Sequence, residues 1–268
     1  MNNFVAAGLP DFFAPGIATA FLLTTLRVGG LLLTAPVWSA KTVPMKLRTA
    51  LMVMFAVMIA PSANASADVA SLQLTPATFL TETIIGLIIG LCASLTIAAA
   101  EFGGELITTT IGLSGAAILD PTNNTQGSVF STLMQLLALA VLLVSNGHII
   151  MLQALAQSFH AMPLGVVPDM RAGMGAFVPT AKVIFTSGLQ FAAPVIAAIF
   201  VTNLALAVLG RAAPQLQIMS VAFPLQIGVG LLTFAGSIAL MIHVMSDWTT
   251  GFNGTLDTFA RAVRVAVR

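Results

Sequence analysis

Glu101 and Glu105 offer the most chemistry in this chain, because a spacing of four puts both carboxylates on one face of a helix. Two like charges on one face disfavour each other, and placing either deep in hydrocarbon costs about 2.5–3.5 kcal/mol. Two readings follow. The pair forms a proton or cation site inside a helical bundle, or it marks the aqueous end of the apolar run 83–100 and faces another subunit. With Arg211 these acids make up a candidate charged interface. His148, His160 and His243 each stand alone in apolar surroundings. A hydrogen-bonded or interfacial imidazole is the expectation there, with a metal ligand or proton relay as the alternative. Cys92 is the single cysteine, so it has no internal disulfide partner and no companion for a metal site. Lying in an apolar run, it reads as an inert buried thiol. The chain has no H-E-x-x-H, Walker loop or G-x-S-x-G. Gly103-Gly104 and Gly112…Gly115 match no dinucleotide fingerprint. Neither an enzyme nor a cofactor nor a metal site is expected.

The elements that would position these residues are apolar helices. Charged residues make up 7% of the 268 and hydrophobic ones 58%, with a mean hydropathy of +1.01. Residues 183–210 and 212–246 carry no charge at all. Each run exceeds the roughly 20 apolar residues that cross a bilayer core as helix, whereas a soluble domain is about a quarter charged. An all-α membrane protein follows, since an open strand edge cannot be satisfied in lipid. A net charge of +1 argues against a nucleic-acid partner. Met1-Asn2-Asn3 lacks the basic start of a secretory signal, so the first apolar stretch is expected to stay attached.

The apolar stretches are 12–36, interrupted by Arg27; 49–60; 77–100, with Glu82 near one end; 129–144; 147–160; 183–210; and 215–246. A Gly- and Thr-rich passage fills 101–128, and the tail carries Arg261, Arg264 and Arg268. Pro44, Pro61, Pro76, Pro163, Pro168, Pro179 and Pro214 fall at stretch ends, while Pro36 and Pro194 are kink candidates. Trp38 and Trp248 end apolar runs, where an interfacial ring sits. A six-span arrangement puts Lys41, Lys46, Arg48 and Arg211 on one side. Arg171, Lys182 and the three tail arginines fall on the other. That near-balance gives no orientation by the positive-inside rule, so a stretch fails to span or the helices pack unconventionally.

Gly86-xxx-Gly90 suits close helix packing, although such spacing also arises by chance among 22 glycines. Thirteen methionines provide adaptable apolar surface or ordinary packing. The string Gly112, Leu113, Ser114, Gly115, Ala116, Ala117, Ile118, Leu119, Asp120, Pro121 combines small residues with an apolar strip. Asp120-Pro121 reads as an N-cap with Pro at the first helical position. The string is an ordinary interhelical connection, or a loop inserted into a pore, where non-helical backbone is tolerated at membrane depth.

Several strings carry a resemblance. Gly210-Arg211-Ala212-Ala213-Pro214-Gln215-Leu216-Gln217, continuing to Phe223-Pro224-Leu225, resembles the G-R-x-x-P-Q-L-N…F-P-L signature of the FliR family of flagellar export-gate proteins. Asn146-Gly147-His148, Ser158-Phe159 and Pro163-Leu164-Gly165 are similar to its N-G-H…S-F…P-I-G string. Gly112-Leu113-Ser114 with Asp120-Pro121 matches its G-L-S…D-P passage, and Arg27, Ala35-Pro36, Val43-Pro44 and Arg48 its amino-terminal pattern. Gln217, Ala222 and Gln226 depart from the residues usual at their positions. The resemblance spans about residues 27–225, with the related injectisome export component as the nearest alternative and a proton-coupled secondary transporter as one of another class.

The resemblance implies a subunit of the type III protein export gate, assembled with FliP-like and FliQ-like subunits beside FlhB-like and FlhA-like proteins. It implies a place in the bacterial inner membrane, in the flagellar basal body, with unfolded export substrates and membrane lipid as further contacts. It also implies hairpin helices packed in a hetero-oligomer. Residues 1–178 would form a FliP-like part containing a plug loop over 106–124, and residues 179–268 a FliQ-like helical hairpin with a basic tail. The plug itself falls on Gly112–Pro121.

Overall fold

The structure, a computed structural model, describes residues 16–39, 43–65, 72–113, 128–166, 170–213 and 218–246. Among them every regular element is helical: α1 Ile17–Thr34, α2 Pro36–Ser39, α3 Met45–Ala65, α4 Pro76–Ile111, α5 Val129–Val144, α6 Gly147–Ala161, α7 Met170–Ala212 and α8 Ile218–Ser246. The chain divides into two compact units. One contains α1–α3, α4 up to Ser94, and α6; the other contains α4 from Leu95, α5, α7 from Pro179, and α8.

Local chemistry sets the helix ends. Pro36 stops α1 because it disfavours helical backbone at the residue before it, and Ala35 is accordingly extended at ψ 126°. Thr75 and Thr78 start α4 by reciprocal bonding, each side-chain oxygen accepting the other's N–H at 3.2 and 3.0 Å. Pro76 between them takes the first helical position, where its missing N–H costs nothing. Ser128 caps α5 by accepting the Ser131 N–H at 3.0 Å. Asn146, the first residue of the N-G-H string, joins α5 to α6 at φ 58°, a left-handed conformation that asparagine tolerates better than most residues.

Two expected breaks are absent. The passage from Glu101 onward continues α4 as far as Ile111, so residues 106–111 are helix and the loop begins at Gly112. Helix α7 runs through Pro179, expected at a stretch end, and also contains the kink candidate Pro194. Among the described residues four segments are long and apolar enough to cross a membrane: Ile17–Thr34, Pro76–Ile111, Ile184–Ala212 and Ser220–Met245. Helices α5 and α6 add a fifth if they act as one broken span. That is fewer than the six of the charge count, because α3 carries Lys46 and Arg48 in its first turn and Pro61, Ser62 and Asn64 in its last.

In the first unit, α1 and α4 meet backbone to backbone. A Cβ at Gly86 would lie 2.0 Å from the Arg27 carbonyl oxygen, and one at Gly90 2.1 Å from Thr34 Oγ1. One at Gly30 would lie 2.5 Å from the Thr83 carbonyl oxygen. The Gly86-xxx-Gly90 pair is therefore a packing motif, and Thr34 Oγ1 donates across it to the Leu87 carbonyl at 3.1 Å. Trp38 packs edge-on against Phe55, with ring centroids 5.9 Å apart, and is buried. The second unit repeats the close approach. Gly103 faces the Gly188 backbone of α7, and Gly104 faces Phe130 and Ser131 of α5. Edge-to-face pairs, Phe102 with Phe185 and Phe130 with Phe234, fill the space beside them.

Ala substitutions separate close contact from mere helix propensity. Gly86→Ala should destabilise the detergent-extracted chain by about 1–3 kcal/mol, the cost of overpacking. Gly236→Ala, where nothing lies within 4 Å of the new methyl group, should fall within about 1 kcal/mol of the parent. A thermal melt followed by size-exclusion chromatography reads both; equal melting points would refute the close-contact assignment.

Candidate functional site

The string Gly112–Pro121 begins where α4 stops. Gly112 is left-handed at φ 88°, its N–H donates to the Thr109 carbonyl and the Leu113 N–H to the Thr108 carbonyl, each at 3.1 Å. This pair of bonds is a Schellman stop, which satisfies two end carbonyls and places a left-handed residue where glycine carries no steric penalty. The glycine of Gly-Leu-Ser is thus set by backbone geometry. Ser114, Gly115, Ala116, Ala117, Ile118, Leu119, Asp120 and Pro121 lie outside the described residues.

Helix α8 backs this stop with one face. Phe223, Gln226 and Gly230, spaced i, i+3 and i+7, point the same way. A Cβ at Gly230 would sit 2.5 Å from Ile111 Cδ1, so α8 touches the last turn of α4. The Cβ position of Gly112 lies 3.6 Å from Phe223 Cε1 and 3.8 Å from Gln226 Oε1. The amide of Gln226 is held by Asn203 of α7, its Nε2 donating to Asn203 Oδ1 at 2.6 Å. Two strings more than a hundred residues apart, Gly-Leu-Ser and Phe-Pro-Leu-Gln, therefore meet at one junction.

The candidate charged interface is not assembled in the same way. Glu101 is half-buried on α4, its carboxylate accepting from the Gln135 side-chain amide of α5. Its backbone carbonyl accepts from Ser131 Oγ at 3.0 Å. Glu105, one turn on, is exposed. Arg211 is exposed in the last turn of α7, where a cation favours the helix dipole. Among the described residues neither glutamate forms an ion pair with Arg211. The two acids thus face different surroundings, and Glu101 is tied to a neutral amide. His148 is half-buried, while Cys92 is a buried free thiol. Among the described residues no three His, Cys, Asp or Glu side chains gather as a metal site would require.

A charged cluster does form elsewhere, in the first unit. Arg27 Nε lies 2.6 Å from Glu82 Oε2, and both side chains are 0% exposed. Arg27 Nη1 donates to Ser158 Oγ at 3.1 Å and Nη2 to the Met162 carbonyl at 3.0 Å. The guanidinium carbon stands 4.2 Å from the Phe159 ring centre. Glu82 Oε1 accepts the Gly165 N–H at 3.1 Å. The Ser-Phe and Pro-Leu-Gly strings thus gather around one ion pair between α1 and α4. Sequence reasoning missed the pairing, treating Arg27 as an interruption and Glu82 as the edge of a stretch. The available signal was physical: a lone acid and a lone base in apolar runs each need a partner.

Removing one member should cost far more than removing both. Arg27→Met or Glu82→Leu alone should lower stability by about 3–5 kcal/mol by stranding the other charge, whereas the double variant should lose much less. Thermal unfolding of the four proteins in one detergent tests this; additive losses would show that the two charges do not compensate each other.

The chain matches the family described as bacterial export proteins, family 1, over residues 18–251. It is 35% identical over 227 residues to the flagellar biosynthetic protein FliR of Escherichia coli, covering 83% of this chain and 87% of that protein. To the FliR of Pectobacterium carotovorum it is 32% identical, covering 80% and 82% of the two chains. To that of Caulobacter vibrioides it is 29% identical, covering 90% and 98%. A match over nearly the whole length, with the recognised strings meeting at two packed junctions, places this chain in family 1 of the bacterial export proteins, the FliR family.

Proposed function

We propose that this chain forms part of the channel wall of the flagellar type III export gate, and that its Gly112–Pro121 segment plugs the resting channel. Its family membership and its apolar, membrane-length segments make it a membrane component of the flagellar export apparatus. The observation that carries the wall reading is the uncovered apolar surface of α7 and α8. In the 18-residue apolar stretch of each span only 28% is buried for Ile184–Ala212 and 22% for Ser220–Met245, against 56% for Pro76–Ile111. Phe200, Val201, Leu204, Val208 and Leu232 are all more than half exposed. A chain alone in water could not sustain such a surface, so lipid or apolar helices of neighbouring subunits must cover it.

In this proposal the neighbours are FliP-like and FliQ-like subunits, with FlhB-like and FlhA-like proteins beyond, in the bacterial inner membrane at the flagellar basal body. Residues 1–178 serve as the FliP-like part and residues 179–268 as the FliQ-like hairpin with its basic tail. The lengths of α4 and α7 support packing within an assembly. At 36 and 43 residues they extend about 54 and 65 Å at 1.5 Å per residue, well beyond a hydrocarbon core of about 30 Å. The plug reading rests on the small side chains of its string. They fill a narrow pore yet leave few contacts to break when an unfolded substrate displaces them, and the apolar wall holds back ions until then.

Two measurements test the proposal. Native mass spectrometry of the tagged chain, expressed with its operon neighbours and extracted in mild detergent, should find one copy with several small apolar partners. A stable monomer or homodimer would overturn the wall reading. Deleting Ser114–Leu119 should raise ion leak through a gate of unchanged mass. An assembled gate that leaks no more than the parent would overturn the plug.

A further inference from the structure

We infer that the outward face of α7 between Gln190 and Ala197 is a notch for one helix of a neighbouring subunit. The side chain that enters it both donates and accepts hydrogen bonds: a serine, threonine, asparagine or glutamine. This rests on the wall reading and adds where the neighbour sits and what chemistry it brings.

Pro194 creates the need. It lies within α7, where the residue at its position would normally give its N–H to the Gln190 carbonyl. Proline has no N–H, and its ring crowds that same carbonyl. A serine or threonine beside such a proline can supply a hydroxyl instead, but the local sequence is Gln190-Phe191-Ala192-Ala193-Pro194-Val195. The Gln190 side chain is exposed at the same place. In this unit Gln135 is bonded to Glu101 and Gln226 to Asn203, whereas among the described residues the Gln190 amide has no such bond. One point on the helix thus carries a carbonyl without its usual donor and an amide with both donors and an acceptor to spare. It falls about 9 Å inside the start of the apolar span Ile184–Ala212. Hydrocarbon has nothing to donate, and an unsatisfied backbone group is expensive there. Lipid tails are therefore the wrong cover for this point, and a polar side chain from another helix is the right one.

The shape fits the same occupant. Ala193 and Ala197 are exposed and share a face with Gln190, at spacings of three and seven. The face carries bulk on either side: Phe185 and Leu189 before it, Phe200 and Val201 after it, all more than half exposed. Two alanines between two pairs of large side chains leave a recess where a second backbone can approach closely, as hydrogen bonding between packed membrane helices requires. Pro194 thereby acquires a use: it opens a polar point on an apolar helix without adding a charge.

The test uses the complete gate, co-expressed with its partners and extracted in mild detergent. Native mass spectrometry reads partner retention, and each variant chain is also melted alone. Pro194→Ala returns an N–H to the Gln190 carbonyl. The lone chain should then melt higher, yet retention of a neighbouring subunit should fall roughly three- to thirtyfold, the loss of one hydrogen bond between membrane helices. A proline needed only for the shape of α7 would lower both readings or neither. Gln190→Leu should reduce retention by a similar factor with the melting point of the lone chain unchanged, and so should Ala193→Phe, which fills the recess. A benzophenone amino acid at Leu189 should crosslink to one partner subunit, on a helix carrying a serine, threonine, asparagine or glutamine. Crosslinks to lipid alone, or gates in which all three variants keep their partners, overturn the notch and leave the wall reading standing. If the parent chain itself retains no partner, the wall reading falls and the notch falls with it.

Discussion

A charged pair with no water around it governs the first unit. Arg27 and Glu82 have no exposed surface, and the pair survives there only because nearly every polar atom of both side chains is used. The guanidinium spends its three nitrogens on Glu82, Ser158 and the Met162 carbonyl, while its face rests on Phe159. The second carboxylate oxygen takes the Gly165 amide. Four parts of the chain, from α1, α4, α6 and the turn after α6, must be in register for that arrangement to exist. Buried ion pairs contribute little net stability over an apolar replacement, but a half-formed one is heavily penalised. The pair therefore acts against wrong packings: a helix slipped by one turn would strand a charge.

That constraint matters because the usual driving force is weak in this setting. Between apolar helices in lipid, burial gains little, and association depends on close packing and polar contacts. The fold answers with glycine at the crossing of α1 and α4 and again where α4 meets α5 and α7, so that backbones touch. Hydroxyls are satisfied within their own helices. Thr24, Thr25, Thr83, Thr108, Thr110, Thr202 and Thr233 each donate to the carbonyl four residues earlier. Threonine can thus be distributed through apolar helices without demanding partners elsewhere.

In the second unit, polar contacts are placed at joints. Ser131 and Gln135 bond Glu101 where α5 crosses α4, and Asn203 with Gln226 joins α7 to α8 behind Gly112. Each sits on an element that also presents uncovered apolar surface. Internal joints are finished within the chain, while the outer faces of α7 and α8 are left for lipid or neighbouring subunits.

The helical class, the membrane setting and the family were legible in the sequence because each depends on quantities summed along it. Charge-free runs longer than a bilayer crossing admit only helix, and strings such as Gly-Arg-x-x-Pro-Gln-Leu keep their order whatever the packing. Some single residues were also legible, as Pro76 was at a helix start and Gly86 with Gly90 at a crossing. Pairings were not. Glu101 and Glu105 looked like a unit through their spacing, yet tertiary packing gave one to Gln135 and left the other exposed, because adjacent turns of one helix can face different neighbours. Arg27 and Glu82 looked unrelated through their distance along the chain, yet the crossing of α1 and α4 brought them within 2.6 Å. Nor could spacing show that Glu101 lay inside a helix continuing to Ile111, since glycine and threonine mark loops in water but are tolerated in helices packed among apolar neighbours. The sequence alone determined which segments leave water; only the tertiary structure decided which polar groups satisfy one another there, because that choice depends on distances between helices that no local pattern encodes.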